Sequence, residues 1–84
     1  MATVEERVKA VTARVLNLNA ADLKATDNFA ADLGAESIQS VELVAMFEEE
    51  FGIEMDEDEA LAVETVGAAA EFITKVCKEQ GAEI

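Results

Sequence analysis

The stretch Asp32-Leu33-Gly34-Ala35-Glu36-Ser37-Ile38-Gln39-Ser40-Val41-Glu42-Leu43 passes from polar, glycine-marked chain straight into an amphipathic segment. Gly34 allows a sharp bend that a residue with a β-carbon resists. Ser37 stands where a helix begins, and Glu36 adds an acid at its entrance. The helix is predicted to run from Ser37 to Glu50 or Phe51, with Ile38, Val41, Val44, Ala45 and Phe47 as its apolar stripe. Glu42, Glu48 and Glu49 fall on its more exposed side, and Gly52 suits a C-cap.

Upstream of this stretch, Thr3-Val4-Glu5-Glu6 has capping-box spacing, with a hydroxyl at the N-cap and a carboxylate three residues on. Val4, Val8, Val11 and Val15 follow at helical spacing, so a first helix is expected to end near Leu16-Asn17. Residues 17–36 have weak periodicity and many Ala, Asp and Asn. They read as a long ordered loop with a short turn at Ala20 to Lys24, anchored by Phe29 and Leu33. A loop of that length in a small domain packs or functions. Downstream, Asp56-Glu57-Asp58-Glu59 repeats the cap spacing and opens a short helix to about Val63. Thr65 caps a last helix whose stripe is Val66, Ala69, Phe72, Ile73 and Val76, and Gly81 ends it. Strand signals are weak. The fold class is all-α: a four-helix bundle with a long first loop and a short third helix, residues 1–84 forming one domain.

Composition narrows the function. The formal net charge is −13, and no Lys or Arg occurs between Ala25 and Thr74. Such a surface repels nucleic acid and anionic lipid and attracts basic partner surfaces. An apolar content of 51%, periodically arranged, argues against disorder. The single cysteine, Cys77, forms no internal disulfide and fits a reducing compartment. The N-terminal residues lack the basic-then-apolar pattern of a signal peptide, and no apolar stretch is long enough to span a bilayer. The expected address is the cytoplasm, and the expected state a monomer.

Catalytic and metal chemistry fit poorly. There is no histidine, so neither Ser37 nor Ser40, the only serines, has the base of a Ser-His triad. The carboxylates look solvated and crowded, which suits a surface rather than an acid–base cleft. A calcium loop starting at Asp56 would need Gly and Glu where Leu61 and Gly67 stand. Cys77, one step off the last helix's stripe, reads as a small, partly buried hydrophobe at the helix end. No catalytic residue and no metal ligand is expected.

A serine at a helix start is ordinarily an N-cap. Here its setting suits a phosphodiester: a helix N-terminus offers free N–H groups and partial positive charge. Leu33-Gly34-Ala35-Glu36-Ser37-Ile38 resembles the attachment motif of the acyl carrier protein family, Asp-Ser-Leu preceded by Leu-Gly-Ala. The likeness continues through Val41-Glu42-Leu43-Val44, Glu48-Glu49-Glu50-Phe51 and Asp58-Glu59-Ala60. Glu5-Glu6-Arg7-Val8 is similar to the family's first helix, and Asn28-Phe29 to its loop anchor. Ala35 in place of a second glycine favours the fatty-acid type over peptidyl carriers.

The resemblance implies that Ser37 receives 4′-phosphopantetheine from coenzyme A, and that acyl groups then ride on the arm as thioesters between enzymes of fatty-acid, related lipid or secondary-metabolite synthesis. The chain itself would catalyse nothing. Carried over by position, Glu36, Glu42, Glu48, Glu49 and Glu57 would face basic patches on the phosphopantetheinyl transferase and on acyl-handling enzymes. Val41, Ala45 and Met55 would supply the apolar part of that contact. Phe29, Leu43, Met46, Phe51, Val63 and Phe72 would line the slot for the acyl chain. Three residues depart from the family pattern: Glu36 for Asp, Ile38 for Leu, and Gln39 where an acid is common. They suggest a specialised carrier. The alternative from another class is an acidic helical interaction or regulatory module that is not modified.

Overall fold

The computed structural model describes residues 2–83. Four helices carry them: α1 over Val4–Leu16, α2 over Ser37–Phe51, α3 over Glu57–Leu61 and α4 over Val66–Gln80. A single 3-10 turn, Ala20–Asp22, interrupts the first loop. The architecture is all-α, with no strand among the described residues.

Local chemistry sets most boundaries. Thr3 Oγ1 accepts the Glu6 N–H at 3.1 Å, and the Glu6 carboxylate accepts the Thr3 N–H at 3.0 Å. These bonds hold the Glu6 carboxyl below its ordinary range. Asn17 ends α1 in the left-handed conformation, at φ 58°. Asp56 accepts the Glu59 N–H at 3.0 Å to start α3, which stops at Leu61, short of Val63. Thr65 accepts the Ala68 N–H at 3.2 Å to start α4.

The core gathers Val8 and Val11 of α1, Leu43, Phe47 and Phe51 of α2, and Val66, Ala69, Ile73, Val76 and Cys77 of α4. α1 packs on both α2 and α4, and α3 packs on α2. The apolar stripe expected for α2 is corrected. Phe47 is buried and Val44 half-buried, but Ile38 is 70% and Val41 47% exposed, and Ala45 also faces solvent. The helix turns Leu43, Phe47 and Phe51 inward instead. Cys77 is corrected too: it is fully buried, and burial pushes its thiol up, with Arg7 pulling weakly the other way.

The long loop is stitched down rather than loose. Phe29 N–H donates to Glu64 O at 2.9 Å, Val66 N–H to Asp27 O at 3.1 Å and Gly67 N–H to Ala25 O at 2.8 Å. The loop thus pairs with the start of α4 through an Asn28–Thr65 bridge. Leu23, Phe29 and Ala35 are buried, and Leu33 packs half-buried against the core. A β-carbon at Gly67 would meet Ala25 O at 3.0 Å, so glycine permits this close approach.

Arg7 locks the other end of α2. Its Nε lies 2.9 Å from Glu50 Oε2, its Nη2 donates to Glu50 O at 2.9 Å, and its guanidinium stacks 4.3 Å from the Phe51 ring centroid. A cation on the last turn of α2 also complements the helix dipole.

Candidate functional site

Ser37 is the first residue of α2, and Glu36, not Ser37, is its N-cap. The Glu36 N–H donates to Gln39 Oε1 at 2.9 Å. Gln39, a departure from the family pattern in the sequence, thereby fills a capping-box role. The Ser37 side chain is exposed, and its hydroxyl takes part in no hydrogen bond among the described residues. A serine whose hydroxyl is not used for capping is free to be esterified.

The approach to Ser37 is rigidly built. Asn28 Oδ1 accepts the Ala30 and Ala31 N–H groups at 3.0 and 2.8 Å. Asp32 Oδ2 accepts the Asn28 N–H at 2.7 Å. Gly34 takes φ 73°, a conformation costly for any residue with a β-carbon. Ala35 N–H donates to Phe29 O at 2.8 Å, and the Ala35 methyl is buried. Two residues later the chain presents Ser37 to solvent on a fixed base.

One turn further along α2, Ser40 lines a cavity of about 50 Å³. Residues three apart on a helix are surface neighbours, so Ser37 stands one turn before a lining residue of the cavity. Of the residues expected in an acyl slot, Phe29, Leu43, Val63 and Phe72 line it. Met46 and Phe51 do not, which corrects that expectation. Phe51 is buried beneath Arg7, and Met46 packs half-buried against the core elsewhere. Sequence reasoning missed Val44, Phe47, Ala60, Leu61, Ala69 and Ile73 as wall residues. Only their helical spacing hinted at them, and spacing does not tell a cavity wall from solid core. Apart from the Ser40 hydroxyl, every lining side chain is apolar.

The expected contact residues fall into two groups. Glu36, Val41, Glu42, Ala45, Glu49 and Glu57 are exposed. With Ile38 and Leu61, at 70% and 41% exposure, they mix acidic and apolar surface around Ser37 and α3. Glu48 and Met55 differ. Both are half-buried, the Met55 N–H donates to Glu48 Oε2 at 2.8 Å, and the Met55 side chain lines the cavity. Glu50 is neutralised by Arg7, and Lys9 is occupied by Glu5 at 3.2 Å. Among the described residues no group of three or more Cys, Asp or Glu is arranged to hold a metal ion.

Residues 6–73 match the model of a family described as "phosphopantetheine attachment site". The chain belongs to this phosphopantetheine-attachment family. Solved structures agree. A candidate acyl carrier protein from Mycobacterium tuberculosis superposes with TM-score 0.80 at 26% identity, covering 87% of this chain and 97% of that one. The acyl carrier protein from Enterococcus faecalis superposes with TM-score 0.69 at 33% identity, covering 89% and 99%. A docking-domain complex of the Pax NRPS shares the fold, with TM-score 0.79 at 20% identity over 95% and 74%.

Members of the phosphopantetheine-attachment family carry 4′-phosphopantetheine covalently. The residues present fit that group. An exposed, uncommitted hydroxyl stands at a helix N-terminus, where partial positive charge and unpaired N–H groups favour a phosphodiester. A residue lining an apolar cavity stands one helical turn from it.

Proposed function

We propose that Ser37 is the attachment site, and that residues 1–84 act as one monomeric carrier domain shuttling acyl groups among enzymes of fatty-acid or related lipid synthesis. The observation that carries this is the free Ser37 hydroxyl on the first turn of α2, one turn before a residue that lines an apolar cavity. When bound, the arm supplies a thiol that holds acyl groups as thioesters.

The chain's own residues do the rest. Ser37 Oγ would form the new P–O bond to the pantetheine-bearing phosphate of coenzyme A, the pyrophosphate P–O bond would break, and adenosine 3′,5′-bisphosphate would leave. The Oγ proton would go to a group on the transferase, because no side chain of this chain is hydrogen-bonded to Oγ among the described residues. Glu42, Glu49 and Glu57 draw basic partner surfaces in, while Ile38, Val41, Ala45 and Leu61 give the contact its apolar part. Charge-steered contact of this kind forms fast and is salt-sensitive, which suits a protein that must meet and leave many enzymes. Phe29, Leu43, Val63 and Phe72 shield a short acyl segment from water, and Met55 lets the slot adapt. The fully buried lone thiol fits a reducing, cytoplasmic setting.

Intact mass tests the proposal. After incubation with coenzyme A and a broad-specificity phosphopantetheinyl transferase, the chain should gain one arm. No gain with any transferase would favour the unmodified interaction module instead.

A further inference from the structure

Two frames compete for the start of α2. Helices favour Ser, Thr, Asp or Asn at the N-cap, and Glu is not among them. By residue type, Ser37 would cap the helix and spend its hydroxyl on the Ser40 N–H. The helix instead begins one residue earlier, with Glu36 as N-cap and Ser37 as the first helical residue. The Ser40 N–H donates to Glu36 O at 2.9 Å.

The core does not choose between these frames. Upstream, the chain is pinned at Ala35, whose N–H donates to Phe29 O at 2.8 Å and whose methyl is buried. Downstream, the first buried residue of α2 is Leu43. Glu36, Ser37 and Ile38 are all exposed, so a helix restarted at Ser37 uncovers no apolar surface there. The Ser40 N–H stays bonded in either frame, to Glu36 O in one and to Ser37 Oγ in the other. What separates the frames is the residue three places after the cap, where a capping box needs a long side-chain acceptor. In the observed frame that residue is Gln39, whose Oε1 accepts the Glu36 N–H at 2.9 Å. In the other frame it is Ser40, which is too short to stand in for the Glu or Gln of a box.

We propose that Gln39 is a positioning residue for attachment at Ser37: by holding the Glu36 N–H it fixes the start of α2 one residue early, and so keeps the Ser37 hydroxyl out of capping and open to an incoming phosphate. The purpose of this device rests on the carrier reading. The device itself belongs to the unmodified chain.

Carbon chemical shifts of the unmodified chain test the frame. In the wild type, Ser37 Cα and Cβ should show helical values. Gln39→Ala keeps the helix, because alanine is the best helix former. It should move the ratio of frames about tenfold toward the start capped by Ser37, so that both Ser37 carbons leave their helical values. Gln39→Glu keeps an acceptor in the box and should leave them in place. Leu43 and Phe47 amide shifts should hold in both variants. Arm attachment, measured with coenzyme A and a broad-specificity phosphopantetheinyl transferase, tests the consequence. Gln39→Ala should lower kcat/KM about twofold or more, as the fraction of chains with a free hydroxyl falls. Introduced into a Glu36→Asp chain, where Asp is itself a strong N-cap, it should lower kcat/KM by less than about 1.3-fold. Neither Gln39→Ala nor Glu36→Asp alters the net charge, so steering toward the transferase is held constant. Helical Ser37 carbon shifts in Gln39→Ala overturn the proposal. Equal loss of kcat/KM in the two backgrounds overturns it as well, and so do displaced Ser37 carbons with an unaltered rate. If the wild type takes no arm, the carrier reading fails while the carbon shifts still decide the frame. If it takes an arm and the shifts do not move, the carrier reading stands and only the role of Gln39 falls.

Discussion

Helices α2 and α4 are both fifteen residues long and both rich in apolar side chains, yet they use them oppositely. α4 buries Val66, Ala69, Ala70, Ile73, Val76 and Cys77. α2 buries only Leu43, Phe47 and Phe51, and leaves Ile38 and Val41 70% and 47% exposed. Exposed apolar side chains next to acids are characteristic of a contact surface rather than of a helix optimised for stability. α4 holds the bundle together, and α2 offers one face to the core and leaves a mixed acidic and apolar face to solvent, the face proposed above for partners.

The comparison can be broken first at its strongest point. Ile73→Ala in α4 should cost about 3 kcal/mol, because it removes a fully buried side chain and leaves a cavity. A thermal melt should fall by on the order of 15 °C. Val41→Ala in α2 should stay within about 0.5 kcal/mol of wild type while weakening binding to a basic partner enzyme. Equal destabilisation by the two would erase the distinction between the helices.

Gly67→Ala sharpens it from the side of α4. The added β-carbon meets Ala25 O at 3.0 Å and the Ala25 β-carbon at 3.2 Å. The crowding outweighs alanine's better helix propensity, for a net loss of about 1 kcal/mol in chemical denaturation. Arg7→Ala tests what fixes the C-terminal end of α2. Loss of the Glu50 contacts and of the stacking on Phe51 should cost about 1 kcal/mol, with the start of the helix at Ser37 undisturbed in its amide shifts. The smallest effect concerns the acidic face. Millimolar magnesium or added salt should raise the melting temperature by a few degrees, by screening like charges between Glu48 and Glu59. Indifference to both would remove charge repulsion from the account.

The helix ends were legible in the sequence because capping is local chemistry. Thr3, Asp56, Thr65, Gly52 and Gly81 announce themselves within four residues of the groups they serve. The facing of α2 was not. Ile38, Val41, Val44, Ala45 and Phe47 are apolar around much of the helix, so periodicity alone does not choose which side is buried; packing against α1 and α3 does. The bridge between Asn28 and Thr65 joins residues far apart in sequence and left no trace in either segment. Ser37 stood out by position, yet its freedom from capping follows from Glu36 standing at the N-cap, and Gln39, which looked only like a departure from pattern, holds the Glu36 N–H. Glu48 read as one more surface acid because its partner is a backbone N–H, and every residue but proline has one. Met46 and Phe51 were placed in the slot by residue type, and their tertiary positions put them elsewhere.

The most direct test of the central claim is mapping of the arm to a single residue by mass analysis of proteolytic fragments, after reaction with coenzyme A and a phosphopantetheinyl transferase. Wild type and Ser40→Ala should each carry one arm on the fragment containing Ser37, and Ser37→Ala should carry none. An arm on Ser37→Ala, or none on the wild type, would contradict the account.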